Sequence, residues 1–167
     1  MKKFHVYVAS SLIPNPVGEG NCIGIAKVTV DENNGVVSDG SVALGIAFKI
    51  GDRRFASTSG TGDLASILNA ILAAEPQRET MIISSSKVAV DLVNGVTVSA
   101  ANPELAAIVC AALAARKTWV SLEKRDTCSH EFAREMAKAL AKSAAKKAQV
   151  FSRDQPAATA VPIFRSC

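Results

Sequence analysis

The stretch VYVASSLIPNPVG, residues 6–18, governs how the rest of the chain is read. Its β-prone Val6-Tyr7-Val8 run leads into small hydroxyl-bearing residues and then into Asn15-Pro16, a dipeptide that marks a loop. Residues 4–11 alternate well enough for a first strand, which hands over to the loop through Ala9, Ser10 and Ser11. Lys2 and Lys3 ahead of this short apolar run also fit the opening of a secretory signal. The alternation, and the break at Pro14-Asn15-Pro16, favour the strand.

Working outward, residues 22–30 (CIGIAKVTV) read as a second strand, 31–40 as a turn-rich connection and 42–50 (VALGIAFKI) as a third strand. Gly51-Asp52 signals a hairpin, with 53–58 pairing back. The period then changes. Leu64, Ile67, Leu68, Ile71 and Leu72 recur at helical spacing within 63–75, and Pro76 lies just beyond. A short strand at 80–86 precedes a short helix over 86–95 closed by Gly95. Asn102-Pro103-Glu104 is a helix start, with a capping Asn, Pro in the first turn and an acid at the positive dipole end. That helix should run to about Arg116. Residues 118–123 read as a strand, 129–147 as a long Ala/Lys-rich helix and the last twenty as a tail. Meandering strands followed by helical crossovers predict an α/β fold: a mixed sheet with helices on its faces.

The totals narrow the function. A chain of 167 residues with 49% hydrophobic content fits one domain with a proper core. No run of 18 apolar residues occurs, so no membrane partner is expected. Cys22, Cys110, Cys128 and Cys167 are scattered without a C-x-x-C pair, which argues against a zinc site. Cys22 and Cys110 lie in apolar runs and read as small core residues, and a reducing, cytoplasmic setting is expected. The net charge of +4 permits a nucleic-acid partner without demanding one.

With its local signatures, this order resembles the ribonuclease H type 1 family over about residues 4–147. In that family the first strand ends in Asp-Gly-Ser, followed by Asn-Pro-Gly and a glycine-rich lead into the second strand; here stand Ala9-Ser10-Ser11, Asn15-Pro16-Val17-Gly18 and GNCIGIA. The family's first helix opens Thr-Asn-Asn-x-x-Glu-Leu, and TGDLASIL (61–68) follows with Ser66 at the glutamate. Its fourth strand ends in Asp-Ser, where this chain has Ser85-Ser86. Its last helix carries Asn-Glu-x-x-Asp-x-Leu-Ala; REMAKALA (134–141) matches at Glu135, Leu140 and Ala141, with Lys138 at the aspartate. The resemblance implies a ribonuclease-H-like domain over 1–148, with a mixed five-stranded sheet, strands 1–3 antiparallel and parallel crossovers after, and a flexible tail over 149–167.

Under that resemblance, the four acidic positions are Ala9, Ser66, Ser85 and Lys138. Family members hold two magnesium ions roughly 4 Å apart, which activate water and stabilise the leaving oxygen. Mg²⁺ needs carboxylate oxygens to offset its charge. Alanine offers no ligand, serines offer weak neutral ones, and Lys138 puts a cation where the metals would sit. At an effective dielectric near 20, two like unit charges 4 Å apart cost about 4 kcal/mol, and a divalent ion roughly doubles that. The resemblance therefore implies a catalytically inactive scaffold with no metal and no cofactor. An active nuclease with relocated ligands would have to draw on Asp63, Asp91, Glu131 and Glu135. Of these, Asp63 and Glu131 also read as helix-start acids, and Asp91 as solvent-facing.

Arg134, Lys138, Lys142 and Lys146 recur every fourth residue as a basic stripe, opposite an apolar face of Phe132, Met136, Ala139, Leu140 and Ala144. The stripe fits a solvated helix face. It equally fits a phosphate-neutralising surface that binds nucleic acid, of unspecified type, without cutting it. Asn15, at a family position that reaches the nucleic-acid groove, and Lys87 beside Ser85-Ser86 would extend that surface; for Asn15 a turn role is the alternative. Gly62 and Asp63 stand where the family reads RNA–DNA hybrids with two asparagines. His130 is expected to start the last helix, and Trp119, Phe48 and Phe55 to pack in the core. The competing function is a protein-interaction module, possible as a homodimer, on the same scaffold.

Overall fold

The computed structural model describes residues 3–97, 101–123, 129–154 and 161–164. The elements follow in the order β1 (Phe4–Pro14), β2 (Asn21–Val30), β3 (Val36–Leu44), β4 (Ala47–Ile50), β5 (Arg53–Ala56), α1 (Ser59–Ala73), β6 (Thr80–Ser84), α2 (Lys87–Val93), α3 (Pro103–Ala114), β7 (Thr118–Leu122), α4 (Glu131–Asp154) and β8 (Val161–Phe164). The main sheet has five strands in the order β3-β2-β1-β6-β7. Its β1–β2 and β2–β3 pairs are antiparallel, while β1–β6 and β6–β7 are parallel. This is the mixed sheet expected from the sequence.

Several boundaries differ from expectation: β1 runs on to Pro14, the single strand expected over 42–50 is divided between the end of β3 and β4 in a second sheet, and α1 starts at Ser59 rather than 63. The segment 31–40 is a turn only at its start: the Asp31 carboxylate accepts from the backbone N–H of Asn33 and Gly35, and Asn34 turns back at φ 62°. From Val36 onward the chain is β3, whose exposed Ser38, Asp39 and Ser41 belong to a solvated edge strand and mimic loop composition. The chain expected as a tail from 149 is helical to Asp154, and 161–164 then pairs in parallel with β4, Val161 opposite Phe48, in a second sheet ordered β5-β4-β8. Helix α4 therefore runs through residue 148.

The sheet is covered on both faces. On one, Val6, Val8, Ile23, Ile25 and Ile82 pack with Leu64, Ile67, Leu68 and Ile71 of α1 and with side chains of α2 and α3. On the other, Tyr7, Val28, Val30 and Ile83 meet Ala133 and Ala137 of α4. The buried stripe of α4 is Ala133, Ala137, Ala141, Ala144, Ala145 and Ala148, not the larger residues that sequence reasoning assigned to it. Phe132 and Ala139 are exposed, while Met136 and Leu140 are half-buried. The reason is distance. A Cβ on Gly24 of β2 would stand 2.1 Å from the Ala141 carbonyl oxygen and 2.2 Å from the Ala145 nitrogen, so the helix lies directly on the strand backbone. At that separation small side chains fill the contact, with Met136 and Leu140 packing at its margin, and the basic stripe comes to run alongside them.

Candidate functional site

β1 pairs with β6 only over Phe4–Tyr7, then continues along β2 to Pro14, while β6 stops at Ser84. The fork leaves a crevice of about 70 Å³ where the parallel strands end, the position at which open α/β sheets gather ligand-binding groups. Ala9, Ser66, Ser85 and Lys138, scattered over 130 residues of sequence, all line it. So do Ser10, Asp63, Glu123 and Arg134.

Asp63 is not the helix cap that sequence reasoning made it. Thr58 caps α1 in a capping box with Thr61, so Asp63 lies in the helix's second turn. Counted from that cap, Thr58-Ser59-Gly60-Thr61-Gly62-Asp63-Leu64 meets the Thr-x-x-x-x-acid-Leu spacing, three residues ahead of the frame that selected Ser66. Asp63 Oδ1 accepts a 2.6 Å hydrogen bond from Ser10 Oγ. Ser66 is buried one turn further on, its hydroxyl donating to the Asp63 carbonyl. Gly62 permits the approach, since a Cβ there would stand 3.2 Å from Ser10 Cβ. Burial pushes the Asp63 carboxyl above its ordinary value, and hydrogen bonds from Ser10 and Ser86 partly offset this.

Glu123, which sequence reasoning passed over, follows the last residue of β7 and so falls beside the ends of β1 and β6. That place in the strand order was its only sequence signal. The Tyr7 hydroxyl lies 3.3 Å from Glu123 Oε2 and 2.8 Å from His130 Nδ1, and His130 Nε2 lies 2.7 Å from Asn34 Oδ1. As expected, His130 starts α4: its carbonyl accepts from the N–H groups of Ala133 and Arg134. His5 lies beside it, ring centroids 5.5 Å apart.

The cations divide into two groups. Arg134 and Lys138 line the crevice; Lys142 and Lys146 continue the stripe, exposed, away from it. The Arg134 side chain is 13% exposed and meets Glu135 Oε1 at 3.1 Å and Glu131 Oε1 at 4.0 Å. Its Nε is buried without a hydrogen-bond partner among the described residues, an arrangement that costs about 1–3 kcal/mol.

Two predicted contacts stay outside this group. Lys87 pairs with Asp91 one helical turn on and does not line the crevice. Asn15 folds onto its own turn, Nδ2 donating to the Glu19 carbonyl and Oδ1 accepting from the Val17 N–H. Of the aromatics, Phe48 is buried and Phe55 packs on it at 5.7 Å, but Trp119 is 46% exposed. It lies on the edge strand β7, and the face it shares with Tyr7 and Ile83 is covered by α4 only over the other strands.

No protein-family model matches the chain, and no curated protein matches it. Solved structures do. LC11-RNase H1, isolated from compost by a metagenomic approach, superposes with a TM-score of 0.66 at 18% identity, covering 89% of this chain and 99% of that one. RNase H1 from the halophilic archaeon Halobacterium salinarum NRC-1 gives 0.65 at 18% identity, covering 87% and 98%. The foamy viral protease-reverse transcriptase in complex with dsDNA gives 0.66 at 15% identity, covering 87% and 94%. LC11-RNase H1 has also been solved in complex with RNA/DNA hybrid, with a TM-score of 0.62 at 16% identity, covering 87% and 98%. The chain has the fold of the type 1 ribonucleases H.

Proposed function

We propose that this chain binds the phosphate backbone of nucleic acid, in the crevice and along α4, without metal-dependent cleavage. The observation that carries the proposal is the pair of cationic side chains, Arg134 and Lys138, in the crevice at the head of an exposed lysine stripe. A phosphate oxygen is an acceptor that a guanidinium and an ammonium lining one crevice both suit. Neutralisation by Lys138, Lys142 and Lys146 then needs no divalent ion. That LC11-RNase H1 is solved with RNA/DNA hybrid and the foamy viral enzyme with dsDNA supports a nucleic-acid partner for this scaffold.

The donor set does not suit a two-metal centre. Asp63 and Glu123 are the carboxylates lining the crevice, and two cations line it with them. Among the described residues no three His, Cys, Asp or Glu side chains come together as a metal site. The other acids considered as relocated ligands do not line the crevice and are paired with cations: Asp91 with Lys87, Glu131 and Glu135 with Arg134. Two magnesium ions need more negative charge than the crevice offers.

Exposed Trp119, Phe132 and Phe151 favour a second reading, contact with a protein or with another copy of the chain. Salt separates the two. Labelled single strands, duplexes and hybrid are titrated at low and moderate salt, with Mg²⁺ or EDTA, and each sample is checked for cleavage. Binding that survives EDTA, weakens steeply with salt and is lost in Lys138→Glu/Lys142→Glu is the expected result. Metal-dependent cutting, or salt-indifferent self-association without nucleic-acid binding, would overturn the proposal.

A further inference from the structure

Asp63 faces two spaces. One is the crevice; the other is a cavity of about 390 Å³ between the start of α1 and α2, several times larger. Leu64, Ala89 and Leu92 give it apolar walls, Thr58 and Ser86 supply hydroxyls at its edge, and Asp63 is its one charged group among the described residues. This combination of size, apolar lining and a few polar groups is that of a small-molecule pocket. The crevice, with room for about two waters, is too small for one.

We infer that this cavity receives an unpaired nucleobase of the strand whose backbone lies in the crevice, with Asp63 reading the base's edge. The inference rests on the proposed backbone binding, and charge assigns the two halves of the nucleotide. Arg134 and Lys138 lie on the crevice side of Asp63, whereas no described Lys or Arg lines the cavity, so the phosphate is drawn to the crevice and repelled from the cavity. The flat, uncharged base suits the apolar walls. Asp63 lines both spaces, and the Ser10 hydroxyl holds its carboxyl in place. An ionised carboxylate only accepts hydrogen bonds, so it favours bases presenting an amino group, such as cytosine, over thymine. Extruding a base from a duplex carries an unstacking cost, so single strands are the preferred ligand.

The test measures binding of oligo(dC), oligo(dT) and duplex DNA by the full chain above pH 7. Its variants are Asp63→Asn and two that plug the cavity mouth: Val88→Trp, at a site 70% exposed, and Ser59→Trp, also exposed. The wild type should prefer oligo(dC) to oligo(dT) by about tenfold, and Asp63→Asn should abolish that preference. Val88→Trp and Ser59→Trp should each weaken single-strand binding about tenfold while leaving duplex binding within about twofold. Intact duplex binding, with single-strand affinity indifferent to all three variants, would overturn the base pocket and leave the backbone reading standing. Failure of every nucleic acid to bind would overturn both.

Discussion

The Ser10 hydroxyl donates to Asp63 Oδ1 across 2.6 Å, tying β1 to the second turn of α1 at the edge of the crevice. The four positions at which the family resemblance expects acids, Ala9, Ser66, Ser85 and Lys138, line the crevice beside this pair, though with different chemistry. A carboxylate and a strand-end hydroxyl face Arg134 and Lys138, with Glu123 completing the lining.

Asp63 should make the fold sensitive to pH. Burial raises its folded-state pKa above the ordinary 3.8, so the folded chain holds the proton more tightly than the unfolded one. Its contribution is fully present below pH 3.8 and is lost as pH rises through the folded value. Asp63→Asn keeps an acceptor for Ser10 and removes the ionisation cost. It should raise Tm at pH 7 by about 2–4 °C, with the gain vanishing toward pH 3, as read by thermal melts across that range.

His5 acts in the opposite sense. Burial, then the His130 and Lys3 charges, lower its folded-state pKa from 6.5, while Glu123 partly restores it. Stability is complete above pH 6.5 and falls as pH drops through the folded value. In urea melts at pH 7.5 and pH 5, His5→Gln should show a smaller loss on acidification than the wild type.

Tyr7→Phe removes the hydroxyl shared by His130 and Glu123 without changing the packing of a ring that is 2% exposed. The expected loss is about 1–2 kcal/mol, or about 2–8 °C in Tm. Replacing Glu123 as well should cost less than the sum of the two single changes, as a double-mutant cycle would show.

Gly24→Ala should be among the most damaging single changes. The new Cβ meets backbone rather than a side chain that can swing away, so α4 must lift from β2. About 3 kcal/mol or more is expected. Backbone amides of β2 should lose hydrogen-exchange protection, a readout that also reports displacement of the lysine stripe.

Lys138→Gln and Lys142→Gln should each lower the slope of log affinity against log salt by about 1. Lys87→Gln, at a lysine already paired with Asp91, should leave it unchanged.

Much of this molecule is written in local order. The alternation of β1 and β2, the helical spacing from Leu64 to Ile71, the Asn102-Pro103 start of α3 and the turn at Gly95 (φ 74°) depend on neighbours within a few residues, so a linear reading finds them. The family motifs that led to the fold are local in the same way. The start of β3 escaped because an exposed edge strand and a loop share a composition, and the pairing of β8 with β4 escaped because it joins segments more than a hundred residues apart.

Tertiary structure decided the rest. Hydrophobicity alone assigned α4 an apolar face of Phe132, Met136, Ala139, Leu140 and Ala144; of these Ala144 is buried and Met136 and Leu140 pack at the edge of the core, while Phe132 and Ala139 are exposed and further alanines fill the close contact at Gly24. The same placement brought Lys138 and Arg134 to the fork between β1 and β6. The cap at Thr58 turned Asp63 toward Ser10, and the strand order carried Glu123 to the same crevice. Which side chains share a site depends on how elements far apart in sequence pack together, and that information is held in three-dimensional contacts rather than in spacing along the chain.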